Sequence, residues 1–138
     1  MSGPVVIAVV NHKGGCGKTT TAVNLGAALA MGNEEYGIKP HKILMIDLDP
    51  KGNIATTFGV DKKSLGATMN ELFKAGIDGP EVKIEECIIG PKQLSKSMKE
   101  AFVRQNPERK RGPPKGLEID NLWLLPADLD LAGIEIDL

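Results

Sequence analysis

From Pro4 the chain reads PVVIAVV, a β-branched apolar run with no polar alternation, which predicts a strand buried on both faces. It ends at Asn11. Beyond a glycine-bearing stretch, TTTAVNLGAALAMG is rich in Ala and Leu and stops at Gly32, the pattern of a helix with a C-terminal glycine. Strand, glycine loop and helix make half of a βαβ unit. NEEYGIKPHK is a turn-rich connection, and KILMIDLDP is a second buried strand whose last residues turn acidic before Pro50 ends it. A right-handed crossover through the helix makes this strand a parallel partner of the first.

Thr68 and Glu71 have capping-box spacing ahead of Leu72 and Phe73, with Gly76 closing a short helix. PEVKIEECIIG reads equally as a short helix or a strand. In KQLSKSMKEAFVRQ the apolar Leu94, Met98 and Phe102 recur every fourth residue while Lys92, Lys96, Lys99 and Arg104 lie elsewhere on the wheel. This predicts a basic amphipathic helix. NPERKRGPPKG is then an exposed loop, and NLWLLPADLDLAGIEIDL a third buried strand, 121–125, followed by the start of another helix. No internal repeat occurs, and residues 1–138 form one domain.

Composition narrows the class. At 138 residues and 41% hydrophobic content the chain suits one core. No run of about 18 apolar residues could cross a bilayer, and the N-terminus lacks a secretory pattern, so a soluble, cytoplasmic protein is expected. Cys16 and Cys87 form no metal-ligand spacing, and a disulfide framework is not expected. The net charge of −1 averages two parts: residues 91–116 hold eight Lys/Arg against two Glu, and the rest is acidic. That basic segment is a candidate element for binding DNA or an anionic membrane, against the plainer reading of a solvated inserted helix and loop.

The stretch NHKGGCGKTTT carries the clearest chemistry. A helix that starts after glycines exposes unpaired backbone N–H groups and the positive end of its dipole, which suits an anion. Gly14, Gly15 and Gly17 let the backbone approach phosphates, Lys18 brings a point charge to the terminal phosphates, and the Thr19 hydroxyl suits a bridging magnesium ion. Asp47 and Asp49 complement the loop. In a doubly wound sheet ligands sit beyond the carboxyl ends of the strands, and alternation puts both carboxylates on one side. Two like charges facing a phosphate imply a metal and a water between them.

The stretches KGGCGKTTTAVNLGAALA and KILMIDLDPKGNIATTFGV resemble the ParA/Soj family of partition ATPases, with a deviant Walker A motif KGGxGK[ST] and a second signature DxDPQGN. NLWLLPADLDLAGIEIDL is similar to a third family segment. The resemblance implies a P-loop NTPase fold, a mostly parallel doubly wound sheet with helices on both faces. It further implies ATP and Mg2+ as cofactors, an ATP-dependent homodimer, nonspecific DNA binding and a ParB-like partner that stimulates hydrolysis. By resemblance Lys13 is the signature lysine that reaches the partner subunit's nucleotide. The loop Lys13, Gly14, Gly15, Cys16, Gly17, Lys18, Thr19, Thr20 binds ATP. Thr19 and Asp47 serve magnesium, Asp47 through water, and Asp49 positions the attacking water. Lys13, Lys18 and Asp49 are thus the catalytic candidates, for a slow phosphoryl transfer that needs mainly positioning and charge neutralisation.

The chain departs from the family at Lys51 and His12, both commonly glutamine there, and Cys16 fills a slot usually given to a small apolar residue. His12 is assigned no role, and a redox role for Cys16 is the lesser reading. Family members are about twice as long, so the chain is expected to be an N-terminal portion ending before the Walker B strand. Two alternatives remain: a nucleotide-binding fragment with little turnover, and a MinD-like positioning ATPase, whose second motif fits less well and whose membrane helix would have no counterpart here.

Overall fold

The computed structural model describes residues 3–77, 79–114 and 116–128. Eight short elements follow in order: α1 (Lys18–Met31), β1 (Ile43–Ile46), α2 (Asn53–Thr57), a 3-10 turn (Lys62–Ser64), α3 (Met69–Ile77), α4 (Ile84–Cys87), α5 (Pro91–Gln105) and β2 (Leu122–Leu125). β1 and β2 pair in parallel with Ile43 opposite Leu122 and Ile46 opposite Leu125. The ladder continues one step past β1, where the Asp47 N–H donates to the Leu125 carbonyl at 3.0 Å. On the other edge of β2, Ile89 and Leu124 exchange backbone hydrogen bonds of 2.8 and 3.0 Å. The ambiguous segment 80–90 therefore holds both a helical turn and a strand-like contact.

One face of this small sheet is the core. Met45 of β1 and Leu122 and Leu124 of β2 are buried with Ala30, Ile54, Phe58 and Leu94, drawn from α1, α2 and its C-cap, and α5. Each large aliphatic side chain removed from water contributes about 1.5–3 kcal/mol. α1 comes close to β1 because Gly26 has no side chain; a Cβ there would lie 3.0 Å from Met45 Sδ. The helix stops at Gly32, whose φ of 68° lies in the left-handed region and whose N–H donates to the Ala28 carbonyl.

The capping box at Thr68 forms: Glu71 Oε2 accepts the Thr68 N–H at 2.7 Å, and Thr68 Oγ1 accepts the Asn70 N–H at 3.2 Å. Gly76 lies inside α3, which runs to Ile77, so the glycine does not close the helix as its position suggested. α5 buries Leu94 and sets its lysines outward, as its periodicity predicted. The expected helix start after Asp128 lies outside the described residues.

The first expected strand is the main correction. The run from Pro4 to Val10 forms no ladder, and Val5, Val6 and Val10 are 88%, 87% and 85% exposed. The exposed side chains of β1, Leu44 and Ile46, lie on the sheet face opposite the core. A strand is ordered by inter-strand hydrogen bonds and by a covered face; among the described residues neither reaches 4–10. The α/β class with a parallel sheet stands.

Candidate functional site

The loop before α1 is built by its glycines. Gly15 and Gly17 have φ of 71° and 88°, a region that residues with a Cβ rarely enter, and Gly17 is the N-cap of α1. A Cβ at Gly14, Gly15 or Gly17 would meet nothing within 4 Å, so the inner side of the loop is open. No side chain caps α1 and no acidic residue stands in its first turn. Its first N–H groups and the positive end of its dipole thus face the loop unopposed.

Two contacts order the loop from within. Asn11 Oδ1 accepts the Lys13 N–H at 2.9 Å, and the Lys18 ammonium donates to the Lys13 carbonyl at 3.2 Å. Lys18 is therefore folded over the loop, above the helix start. Lys13, Gly14, Gly15 and Cys16 are exposed, as is Thr20, while Gly17, Lys18 and Thr19 are half-buried. The Thr19 hydroxyl has no hydrogen-bond partner among the described residues.

Asp47 stands where β1 ends. It is 4% exposed, and its two carboxylate oxygens accept separate backbone N–H groups, Oδ1 from Asp49 at 3.0 Å and Oδ2 from Ile54 at 3.2 Å. The second bond caps α2 from seven residues away. Burial pushes the Asp47 carboxyl above the usual carboxylate range, aided by the Asp49 charge and opposed by those two N–H groups and by Lys62. Asp49 is half-buried two residues further on, and its Oδ1 accepts the Lys51 N–H at 3.0 Å. Gly52 closes the turn with its N–H on the Asp49 carbonyl at 2.8 Å.

The structure thus assembles two half-sites, Lys13 with Lys18 and Asp47 with Asp49; among the described residues no hydrogen bond joins one half to the other. Three contributors were not foreseen. Asn11 could have been found as an Asx-type turn residue ahead of glycines. The Ile54 N–H and the Lys62 ammonium, which donates to the Lys51 carbonyl, carry no signal in the sequence because a change of chain direction brings them in. His12 is exposed and Cys16 is an exposed free thiol.

Two shallow grooves lie elsewhere, along α5. The first, of about 410 Å³, is lined by Lys99, Pro113, Pro114, Gly116 and Glu118. The second is lined by Lys92, Lys96, Lys99, Glu100, Glu118 and Asp120, whose opposite charges offset one another, and the glycine loop is the better candidate despite being open.

Residues 5–138 match the family described as "AAA domain". The chain belongs to the AAA domain family. This AAA domain is 33% identical over 133 residues to the chromosome partitioning protein ParA of Caulobacter vibrioides, covering 96% of this chain and 36% of that one. It is 29% identical to the sporulation initiation inhibitor protein Soj of Bacillus subtilis, covering 96% of this chain and 38% of Soj. Cobyrinic acid a,c-diamide synthase from Mycobacterium smegmatis, crystallised with an ATP analog and magnesium, superposes with a TM-score of 0.57 at 26% identity, over 93% of this chain and 36% of that enzyme. The AAA domain therefore spans little more than a third of the length of these relatives. The ParA/Soj resemblance and the P-loop α/β class read from the motifs are both borne out.

Proposed function

We propose that this AAA domain binds ATP with Mg2+ on the 13–20 loop and serves as the nucleotide switch of a ParA-type DNA-partitioning ATPase. The observation that carries this reading is the open glycine cradle at an uncapped helix start, in a chain whose β1 leads into two carboxylates, Asp47 and Asp49. A triphosphate with Mg2+ supplies the transferable phosphoryl group and the charge that this site neutralises. The fit rests on the residues present. A Cβ at Gly14, Gly15 or Gly17 would point into empty space, the Thr19 hydroxyl is unclaimed among the described residues, and Asp47 offers a buried, hydrogen-bonded carboxylate oxygen pair.

Within this reading the α1 N–H groups and Lys18, now on the Lys13 carbonyl, would hold the phosphates. Thr19 and Asp47 would hold the metal, Asp47 by way of water. Asp49 would orient the attacking water. Lys13, exposed at the loop entrance, reaches toward the nucleotide of a second subunit in an ATP-dependent homodimer. Likeness to a chromosome partitioning protein supports a place in DNA partitioning, and this reading adds action in the cytoplasm, on nucleoid DNA and with a ParB-like partner.

For DNA, the loop after α5 is the better contact. Lys96 pairs with Glu100 at 3.9 Å and Lys99 hydrogen-bonds Glu118, so the helix spends part of its charge internally. Arg109, Lys110 and Arg111 are exposed, Arg109 lying 5.2 Å from the centre of the Phe102 ring.

One observation favours a second reading, nucleotide binding with little turnover. The 4–10 run that should anchor the loop to a sheet is unpaired, so the loop is less rigidly aimed than catalysis needs. Titration with a fluorescent ATP analogue in Mg2+ tests binding: Lys18→Ala should abolish it, and equal affinity in wild type and Lys18→Ala sinks the proposal. Turnover equal in wild type and Asp49→Ala, with binding intact, selects the second reading. DNA binding should weaken steeply with salt and be lost when Arg109, Lys110 and Arg111 are changed to Ala.

A further inference from the structure

Lys62 lies outside every motif, in the 3-10 turn after Asp61, yet it reaches the acidic turn. Its ammonium donates to the Lys51 carbonyl and would stand 3.5 Å from a Cβ placed on Gly52. The 3-10 turn itself is fixed: Asp61 Oδ1 accepts the Lys63 N–H at 3.0 Å and Ser64 Oγ donates to the Asp61 carbonyl at 2.7 Å. Lys63, next in sequence, is exposed, and its ammonium makes no hydrogen bond or ion pair among the described residues. A long side chain from an anchored turn thus delivers one positive charge to the segment between Asp47 and Ile54.

We propose that Lys62 is the built-in counter-ion of this acidic turn, a positioning residue that keeps divalent metal uptake dependent on bound nucleotide. The inference rests on the reading that Asp47 and Asp49 face a metal. Two carboxylates in partly buried surroundings attract a divalent cation on their own, and a fixed ammonium beside them lowers that attraction. Among the described residues no group of three His, Cys, Asp or Glu side chains comes together to hold a metal, so a metal held by these two carboxylates would take further oxygens from a nucleotide or water. Lys62 thus disfavours metal without nucleotide, and the charge of a triphosphate outweighs one lysine.

The test uses Mn2+ alone, with the nucleotide-free protein, followed by the paramagnetic resonance of free Mn2+. Lys62→Met keeps the aliphatic stem and should bind Mn2+ about two- to fivefold more tightly than wild type. Lys62→Arg and Lys63→Met should stay within about twofold, and adding Asp47→Asn to Lys62→Met should cancel the gain. Unchanged or weaker Mn2+ binding by Lys62→Met overturns the proposal, weaker binding marking Lys62 as a mere tether of the turn. The same gain in Lys63→Met also overturns it, as a general charge effect. Thermal unfolding of each variant separates loss of fold from loss of charge. Failure of wild type to bind the ATP analogue refutes the proposed function instead, because the Mn2+ measurement needs no nucleotide.

Discussion

Gly52→Ala is the most informative single change, because two independent penalties meet at this residue. Its backbone has φ 56° and ψ 42°, a left-handed conformation costing a residue with a Cβ roughly 1–2 kcal/mol. The new methyl would also lie 2.3 Å from the Ala127 carbonyl oxygen and 3.1 Å from its carbon, with backbone on both sides of the contact. Relief requires the acidic turn or the segment after β2 to move by about 1 Å, an overpacking cost of roughly 1–3 kcal/mol. The sum, about 2–5 kcal/mol, is a large share of the roughly 5–15 kcal/mol expected for a domain. It corresponds to a melting-point loss of roughly 8–20 °C.

Two other glycines separate these terms. Gly15 has φ 71° but nothing within 4 Å of a Cβ, so Gly15→Ala carries only the conformational term, about 1 kcal/mol. Gly66 has neither a positive φ nor a neighbour, and Gly66→Ala should change stability by less than about 0.5 kcal/mol. Urea unfolding followed by Trp123, the single tryptophan and a residue of β2, measures all three. A Gly52→Ala loss no larger than that of Gly15→Ala would refute the close approach of the Ala127 carbonyl, and with it the link between the acidic turn and the exit of β2.

Leu124→Ala empties a fully buried position in the middle of β2 and should cost about 2–5 kcal/mol in the same unfolding assay. Val5→Ser with Val6→Ser should cost under about 0.5 kcal/mol, since both side chains are exposed; a loss above 2 kcal/mol would mean they are buried in solution. Glu71→Gln should cost about 1 kcal/mol at neutral pH by weakening the capping box. Burial works against the Glu71 carboxylate, but its bonds from Thr68 and Asn70 hold its pKa below the ordinary value of 4.5. A lowered folded-state pKa stabilises fully above that value, so the gap between wild type and Glu71→Gln should close as pH falls below it. Asp47 runs the other way: its pKa is raised, the folded state holds the proton more tightly, and its contribution should improve as pH falls from neutral through the raised value.

Local patterns were legible wherever a short-range rule decides them. The helix from Lys18 to Met31, its Gly32 stop, the capping box at Thr68 and the outward lysines of α5 follow from spacing a few residues wide. The glycine loop was legible for the same reason: Gly15 and Gly17 sit at the positive φ angles that only their lack of a Cβ makes cheap. The acidic turn was legible in part. The two acidic residues after β1 could be read from the chain, but Asp47 capping α2 through the Ile54 N–H, and Lys62 arriving from the next turn, depend on where the chain folds back.

By itself the sequence determined the local elements, the residue types of the phosphate-type loop and the pair of carboxylates meant to face it, since backbone freedom, periodicity and charge act over a few positions. Tertiary structure alone decided which apolar runs find partners. PVVIAVV and ILMI are both continuous apolar runs, yet β1 gains a ladder and a core through β2, α1 and α2, while the run from Pro4 to Val10 stays unpaired and exposed. Burial belongs to a pair of surfaces, and one strand's composition specifies only its own half.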